Sequence, residues 1–336
     1  MLRALCAAFL LASCSTPDLG LRGDARSAKE ILVLPPLERV TRAGAGRPVV
    51  VPHGTYNFAA KTAVSDREET RVLDPDTDPA LAADFIAPLA AYFHALPQAR
   101  DRINGILLPE KYPRRDRLIR VGDTPGKTPV VLVHGLGVSP HTWKKMSAKL
   151  LISPDFRSKH SLWHYRYPTG AAIKENSRLF VEDLDKALGN DGSEAVIIGH
   201  SMGGLLALTA ASDPSTSRHI SSVILLACPA SGNWLATIPE AKIASSFPGI
   251  ADLSSSSDFI RDLTKKKVPE TIPVHVVLGR KHTFEDKTFS DGIVRSTDAY
   301  KTPTSTYIVT TRNHQIHKND LVIDYVTKLL AIEAPP

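Results

Sequence analysis

The first arrangement in this chain with the residue types and spacing for covalent chemistry is Gly199-His200-Ser201-Met202-Gly203, a serine set between glycines. Alone the pattern arises readily by chance, because glycine and serine are common. Its setting gives it meaning. The apolar run Ala195-Val196-Ile197-Ile198 precedes it, and an apolar stretch that reads as a helix continues from Leu205. A sharp turn from strand into helix projects the serine hydroxyl as a nucleophile. Gly199 and Gly203 suit such a turn, where neighbouring backbones come too close for a Cβ. The new helix also directs the partial positive charge of its N-terminus at an oxyanion developing beside Ser201.

A second arrangement, His134-Gly135-Leu136-Gly137, follows directly on the apolar run Val130 to Val133. Where a serine sits on a strand-to-helix elbow, one oxyanion donor is the backbone N–H of the next residue, here Met202. The other comes from the loop after an earlier strand. Leu136 is the expected donor there, since glycines on both sides let the backbone turn its N–H inward. His134 reads as structural, because such a loop acts through backbone groups.

Elements able to hold these residues begin near residue 117. Leu118–Val121, Pro129–Val133, Leu162–Tyr165, Ala195–Ile198, Val223–Leu226, Val274–Leu278 and Thr306–Val309 all read as strands. Helical periods run between them through Phe180, Leu184 and Leu188, and a last helix is expected over Leu321–Leu330. Short apolar, β-branched runs alternating with helices indicate an α/β fold. Its central sheet is expected to be mostly parallel, with helices on both faces.

The elbow, the His134–Gly137 loop and the strand spacing resemble the α/β-hydrolase superfamily. The esterase and lipase branch, with its triacylglycerol-lipase-like and GPI inositol-deacylase-like members, is the most similar part. The resemblance spans about residues 117 to 331. It implies a triad in the chain order serine, acid, histidine. The acids after the strand ending at Leu278 are Glu285, Asp286, Asp291 and Asp298. Ser290-Asp291-Gly292-Ile293-Val294 is similar to the acid-bearing segment of many lipases, which favours Asp291, with Asp286 as its rival. The segment Asn313-His314-Gln315-Ile316 resembles the base-bearing loop of that branch and favours His314. His317, nearer the helix, is expected to be a surface or capping residue. The same comparison implies a helical cap between about 231 and 272. Its apolar residues Trp234, Leu235, Ile238, Ile243, Phe247, Ile250, Phe259, Ile260 and Leu263 are able to line an acyl pocket.

The N-terminal part carries no chemical motif before residue 130. Residues 1–14 have Arg3, the apolar run Ala4 to Leu11, and then Leu11-Ala12-Ser13-Cys14, which resembles a bacterial lipobox. That run is too short to span a bilayer and fits a secretory segment. Lipidation of Cys14 is the expectation, with Ser15 beside it pointing to the outer membrane in a Gram-negative source. Residues 15–47 read as a tether and 48–116 as an accessory segment. Within the latter, Val49–Val51 is a possible strand and Ala80–Leu96 has a helical period with Asp78 as its cap.

The chain has 336 residues, 43% of them hydrophobic, and a net charge of +6. The charge is dispersed and lacks interleaved aromatics, which argues against nucleic acid as a partner. The cysteines are Cys6, Cys14 and Cys228, too few for a disulfide framework or a cysteine metal site, and Cys228 reads as a core residue. The expected activity is hydrolysis of carboxylic esters through an acyl-Ser201 intermediate, a chemistry that requires no cofactor. The partners are then an ester substrate and, through Cys14, a membrane. An acyltransferase with the same triad is the first alternative. A catalytically degenerate lipoprotein that binds in the envelope is the second.

Overall fold

The computed structural model describes residues 54–57, 62–65, 70–71, 98–113, 117–121, 127–189, 192–233, 247–281, 289–311 and 313–333. The lipobox-like segment with Cys14, the expected tether, Val49–Val51, the helix expected over 80–96, Glu285, Asp286 and the apolar residues between Trp234 and Ile243 lie outside these.

A small antiparallel sheet comes first, from β1 (Gly54–Asn57), β2 (Thr62–Ser65) and β3 (Thr70–Arg71). Strands of two to four residues carry too little alternation to stand out in a sequence. Helix α1 (Gln98–Leu107) follows.

The principal sheet comprises β4 (Leu118–Val121), β5 (Thr128–Val133), β6 (His160–Tyr165), β7 (Ala195–His200), β8 (Ile220–Leu226), β9 (Val274–Arg280) and β10 (Ser305–Thr310). Their order is β10-β9-β8-β7-β5-β6-β4. Every neighbouring pair is parallel except β4 with β6. All seven coincide with the runs expected to be strands, and the last helix, α8 (Asp320–Glu333), falls where its period places it.

Both faces are covered, which is why the central strands are apolar without alternation. On one face Val131, Val133, Ile197 and Leu225 pack against α4 (Ile173–Leu188), α5 (Met202–Ala211) and α7 (Asp258–Lys265). On the other, Val130, Leu132, Val196 and Ile198 meet α2 (Lys144–Ile152), α3 (Pro154–Lys159) and α8. Cys228 lies in the first of these cores, as its apolar flank suggests, and burial raises its thiol pKa.

The stretch expected to form a cap contains α6 (Pro248–Ala251) and α7. Ser257 Oγ accepts from Ile260 N at 3.1 Å and starts α7 as its N-cap. Phe259, Ile260 and Leu263 on α7 belong to the same core as Leu205 and Val223. Within the described part of that stretch, α7 thus packs its apolar face into the main core.

Candidate active site

Ser201 stands at the junction of β7 and α5, with φ 53° and ψ −124°. A non-glycine residue at positive φ is strained and is held only when its surroundings over-determine it. Here Ser201 N donates to Leu226 O at 2.9 Å, and Gly204 N donates to Ser201 O at 2.9 Å. The first turn of α5 presses against the end of β5, so a Cβ at residue 203 would run into the carbonyl oxygens of Val133 and His134.

The structure brings Ser201, Asp291 and His314 together. His314 Nε2 lies 2.8 Å from Ser201 Oγ, and His314 Nδ1 lies 2.7 Å from Asp291 Oδ2. A carboxylate only accepts, so the imidazole proton resides on Nδ1 and leaves Nε2 free to accept from the serine hydroxyl. Asp291 is 1% exposed. Its Oδ1 accepts from Ile293 N and Val294 N, both at 2.9 Å, within a tight turn where Gly292 takes φ 102°. Burial pushes this carboxyl up, but His314 and the two amides outweigh burial and hold its pKa below the usual value. Asp298, by contrast, caps its own short helical turn, where Oδ2 accepts from Arg295 N at 3.0 Å.

The loop carrying His314 follows β10. Gln315 N donates to Asn313 Oδ1 at 2.9 Å, and the carbonyl of His314 accepts from His200 Nε2 at 3.0 Å. His317 departs from expectation. It is 1% exposed, in a short helical turn that folds inward, and neither caps a helix nor lies on the surface. Its Nε2 is 2.6 Å from Thr142 Oγ1, and its ring centroid is 4.1 Å from that of His200 and 5.1 Å from Trp143. Burial depresses its pKa strongly. The result is a buried row of side chains, Thr142, His317 and His200, behind His314.

Residues 134–137 form the other wall. A Cβ at residue 135 would sit 3.0 Å from Ser201 Cβ, so this loop lies against Ser201. His134 is fully buried and stacks on Tyr167 with centroids 4.4 Å apart, consistent with its reading as structural. Burial lowers its pKa to about 4. Tyr167 Oη donates to His134 O at 2.5 Å, and Gly137 N donates to Thr169 Oγ1 at 3.2 Å. Met202 opens α5, where the first-turn amides have no partner within the helix. Sequence reasoning did not single out Tyr167, Thr169, Thr142 or the ring of His200. Only His200 carried a signal, its place inside the serine pentapeptide. Among the described residues no group of three His, Cys, Asp or Glu is arranged to hold a metal ion.

Residues 130–333, more than half of the chain, match the alpha/beta hydrolase family, and the protein belongs to it. Lipases are among its structural neighbours. The mature form of the Bacillus licheniformis lipase BlEst2 superposes with a TM-score of 0.51 at 18% identity, over 62% of this chain and 93% of that one. Aspergillus fumigatus lipase B gives a TM-score of 0.51 at 15% identity, over 75% of this chain and 73% of that one. At these identities the likeness is one of fold. No curated protein matches the chain significantly.

Proposed function

We propose that this chain hydrolyses carboxylic esters through an acyl-enzyme on Ser201. The observation that carries the reading is the unbroken chain from Ser201 Oγ to His314 Nε2 at 2.8 Å and from His314 Nδ1 to Asp291 Oδ2 at 2.7 Å. As Oγ attacks the ester carbonyl, His314 takes the hydroxyl proton on Nε2. The tetrahedral oxyanion is stabilised by the backbone N–H groups of Met202 and Leu136. Collapse expels the alcohol, which receives the proton from His314. Water, deprotonated by the same nitrogen, then attacks the acyl-serine and releases the acid. Asp291 stays ionised throughout; its depressed pKa suits it to hold the Nδ1 proton in place and to stabilise the imidazolium.

The fold-level likeness to lipases supports an ester with a hydrophobic acyl group. The lipobox-like Leu11–Cys14 segment supports anchoring through Cys14 in the cell envelope, at the outer membrane in a Gram-negative source. Replacing Cys14 by Ser should move the protein from the membrane to the soluble fraction, and unchanged partition would refute the anchor.

The direct test of the chemistry is Ser201→Ala. Hydrolysis of p-nitrophenyl esters from acetate to decanoate should fall by at least about 10³-fold, and fluorophosphonate labelling should disappear. Activity equal to the parent at every chain length would sink the reading.

A further inference from the structure

The family match begins at residue 130, yet one helix from before it reaches the site. The loop 134–137 is flexible by composition, with glycines on both sides of Leu136 and Gly137 at φ 72°. Its backbone is fixed by one bond within the loop and three from outside. His134 O accepts from Tyr167 Oη at 2.5 Å, and Gly135 O accepts from His134 Nδ1 at 3.0 Å. Gly137 N donates to Thr169 Oγ1 at 3.2 Å, and Gly137 O accepts from Arg102 Nε at 3.3 Å. The last tether comes from α1.

The helix is seated firmly enough to hold it. Ile106 is 3% exposed and lies against Gly137. Gly170 N donates to Gly105 O at 2.7 Å. Residue 170 must be glycine for this fit, because a Cβ there would run into the carbonyl of Ile106. Tyr112, 4% exposed, closes over Gly105 from the other side. The docking thus combines backbone, apolar and charged contacts, and its backbone partner Gly170 directly follows Thr169.

We infer that α1 is a working part of the active site. Arg102 is a positioning residue that, with Thr169, fixes the peptide groups of Gly137 and so aims the N–H of Leu136. This rests on the reading of Leu136 as an oxyanion donor. The guanidinium acts through the Gly137 carbonyl rather than on Ser201 itself. It gives the Gly137 carbonyl a charge-assisted donor, and so keeps the Gly-Leu-Gly segment in one of the several conformations open to it.

Losing an oxyanion donor outright costs about 10²–10³ in kcat, so loosening its loop should cost on the order of tenfold. In the full chain, Arg102→Met should lower kcat by about that factor while KM stays within about twofold, since the defect is felt in the transition state. Binding of a trifluoromethyl ketone should weaken by the same factor as kcat/KM. Arg102→Lys, which keeps a donor, should restore most of the loss. Unchanged kcat in Arg102→Met, or a fall that Arg102→Lys does not rescue, would overturn the inference. Hydrogen exchange over residues 134–139 reads the tether without substrate. Faster exchange in Arg102→Met supports it, and unchanged exchange refutes it. If the parent chain cleaved no ester, the proposed function would fail, and exchange alone would decide the role of Arg102.

Discussion

On the side of Asp291 and His314, short-range hydrogen bonds shape each loop, and His200 Nε2, 114 residues away, adds a donor to the His314 carbonyl. Asp291 accepts from amides two and three residues ahead, and Gln315 N donates to the Asn313 side chain two residues back. On the side of residues 134–137, the proposed oxyanion side, one bond is local, His134 Nδ1 to Gly135 O, and the other tethers come from 32 to 35 residues away, at Thr169, Tyr167 and Arg102. A loop that folds onto itself keeps its shape when its surroundings are disturbed. A Gly-Leu-Gly loop has little stiffness of its own and takes its shape from whatever is packed around it. The first kind is specified by a short string of residues, and the second by the assembled fold.

The strongest test of this contrast is Asp291→Asn. Asparagine keeps the oxygen that accepts from Ile293 and Val294, so the turn should survive. Its amide group, however, would face His314 Nδ1 and favour the other tautomer, which puts the proton on Nε2 against Ser201 and removes the base. kcat should fall by about 10³–10⁴ with little loss of stability. A fall below about tenfold would mean that the acid–base side does not carry the chemistry.

The same contrast explains what was legible in the sequence. The strands were, because both-face burial makes them apolar runs with abrupt ends. Ser201 and Asp291 were, because each lies in a short segment whose backbone demands particular neighbours: glycines around Ser201, and Gly292 at positive φ after Asp291. Tyr167, Thr169 and Arg102 were not, since nothing within a few residues of them marks the loop they reach. His317 was misread for a related reason. Its position just before a helix suggested exposure, but burial came from Trp143 and Thr142, about 175 residues earlier in the chain.

Acid should next separate the buried rings on both sides from Asp291. His134 and His200 are fully or nearly fully buried, and burial lowers their pKa values from 6.5 to about 4 and about 3. His134 Nε2 and His200 Nδ1 have no hydrogen-bond partner among the described residues, so a proton arriving there finds no acceptor. Below pH 6.5 the unfolded chain takes up protons that the folded one refuses, and stability falls as pH falls. The loss is about 1.4 kcal/mol per pH unit for each such ring. Asp291 acts in another window: its depressed pKa stabilises the fold above the ordinary carboxyl value of 3.8 and is lost only as pH drops below that. Urea midpoints measured from pH 7.5 to 4.5 should therefore decline already from about pH 6.5. Replacing His134 by Asn should flatten that slope by about one proton. A midpoint constant down to pH 5 would show that the buried rings do titrate in the fold.

The smallest effect expected is also the sharpest probe of the oxyanion side. Tyr167→Phe leaves the ring that stacks on His134 and removes only the hydroxyl that donates to His134 O. A buried carbonyl left without a donor costs about 1–3 kcal/mol, part of which appears as lost stability. The rest appears as freedom of the loop, so kcat should drop about fivefold with KM nearly unchanged. Combined with Arg102→Met, the drop should be less than the product of the single effects, because both tethers restrain one loop and releasing either lets it move. Strict multiplication of the two losses would mean that His134 O and Gly137 O are held independently. The oxyanion loop would then be as locally determined as the turn around Asp291, and the contrast between the two sides would fall.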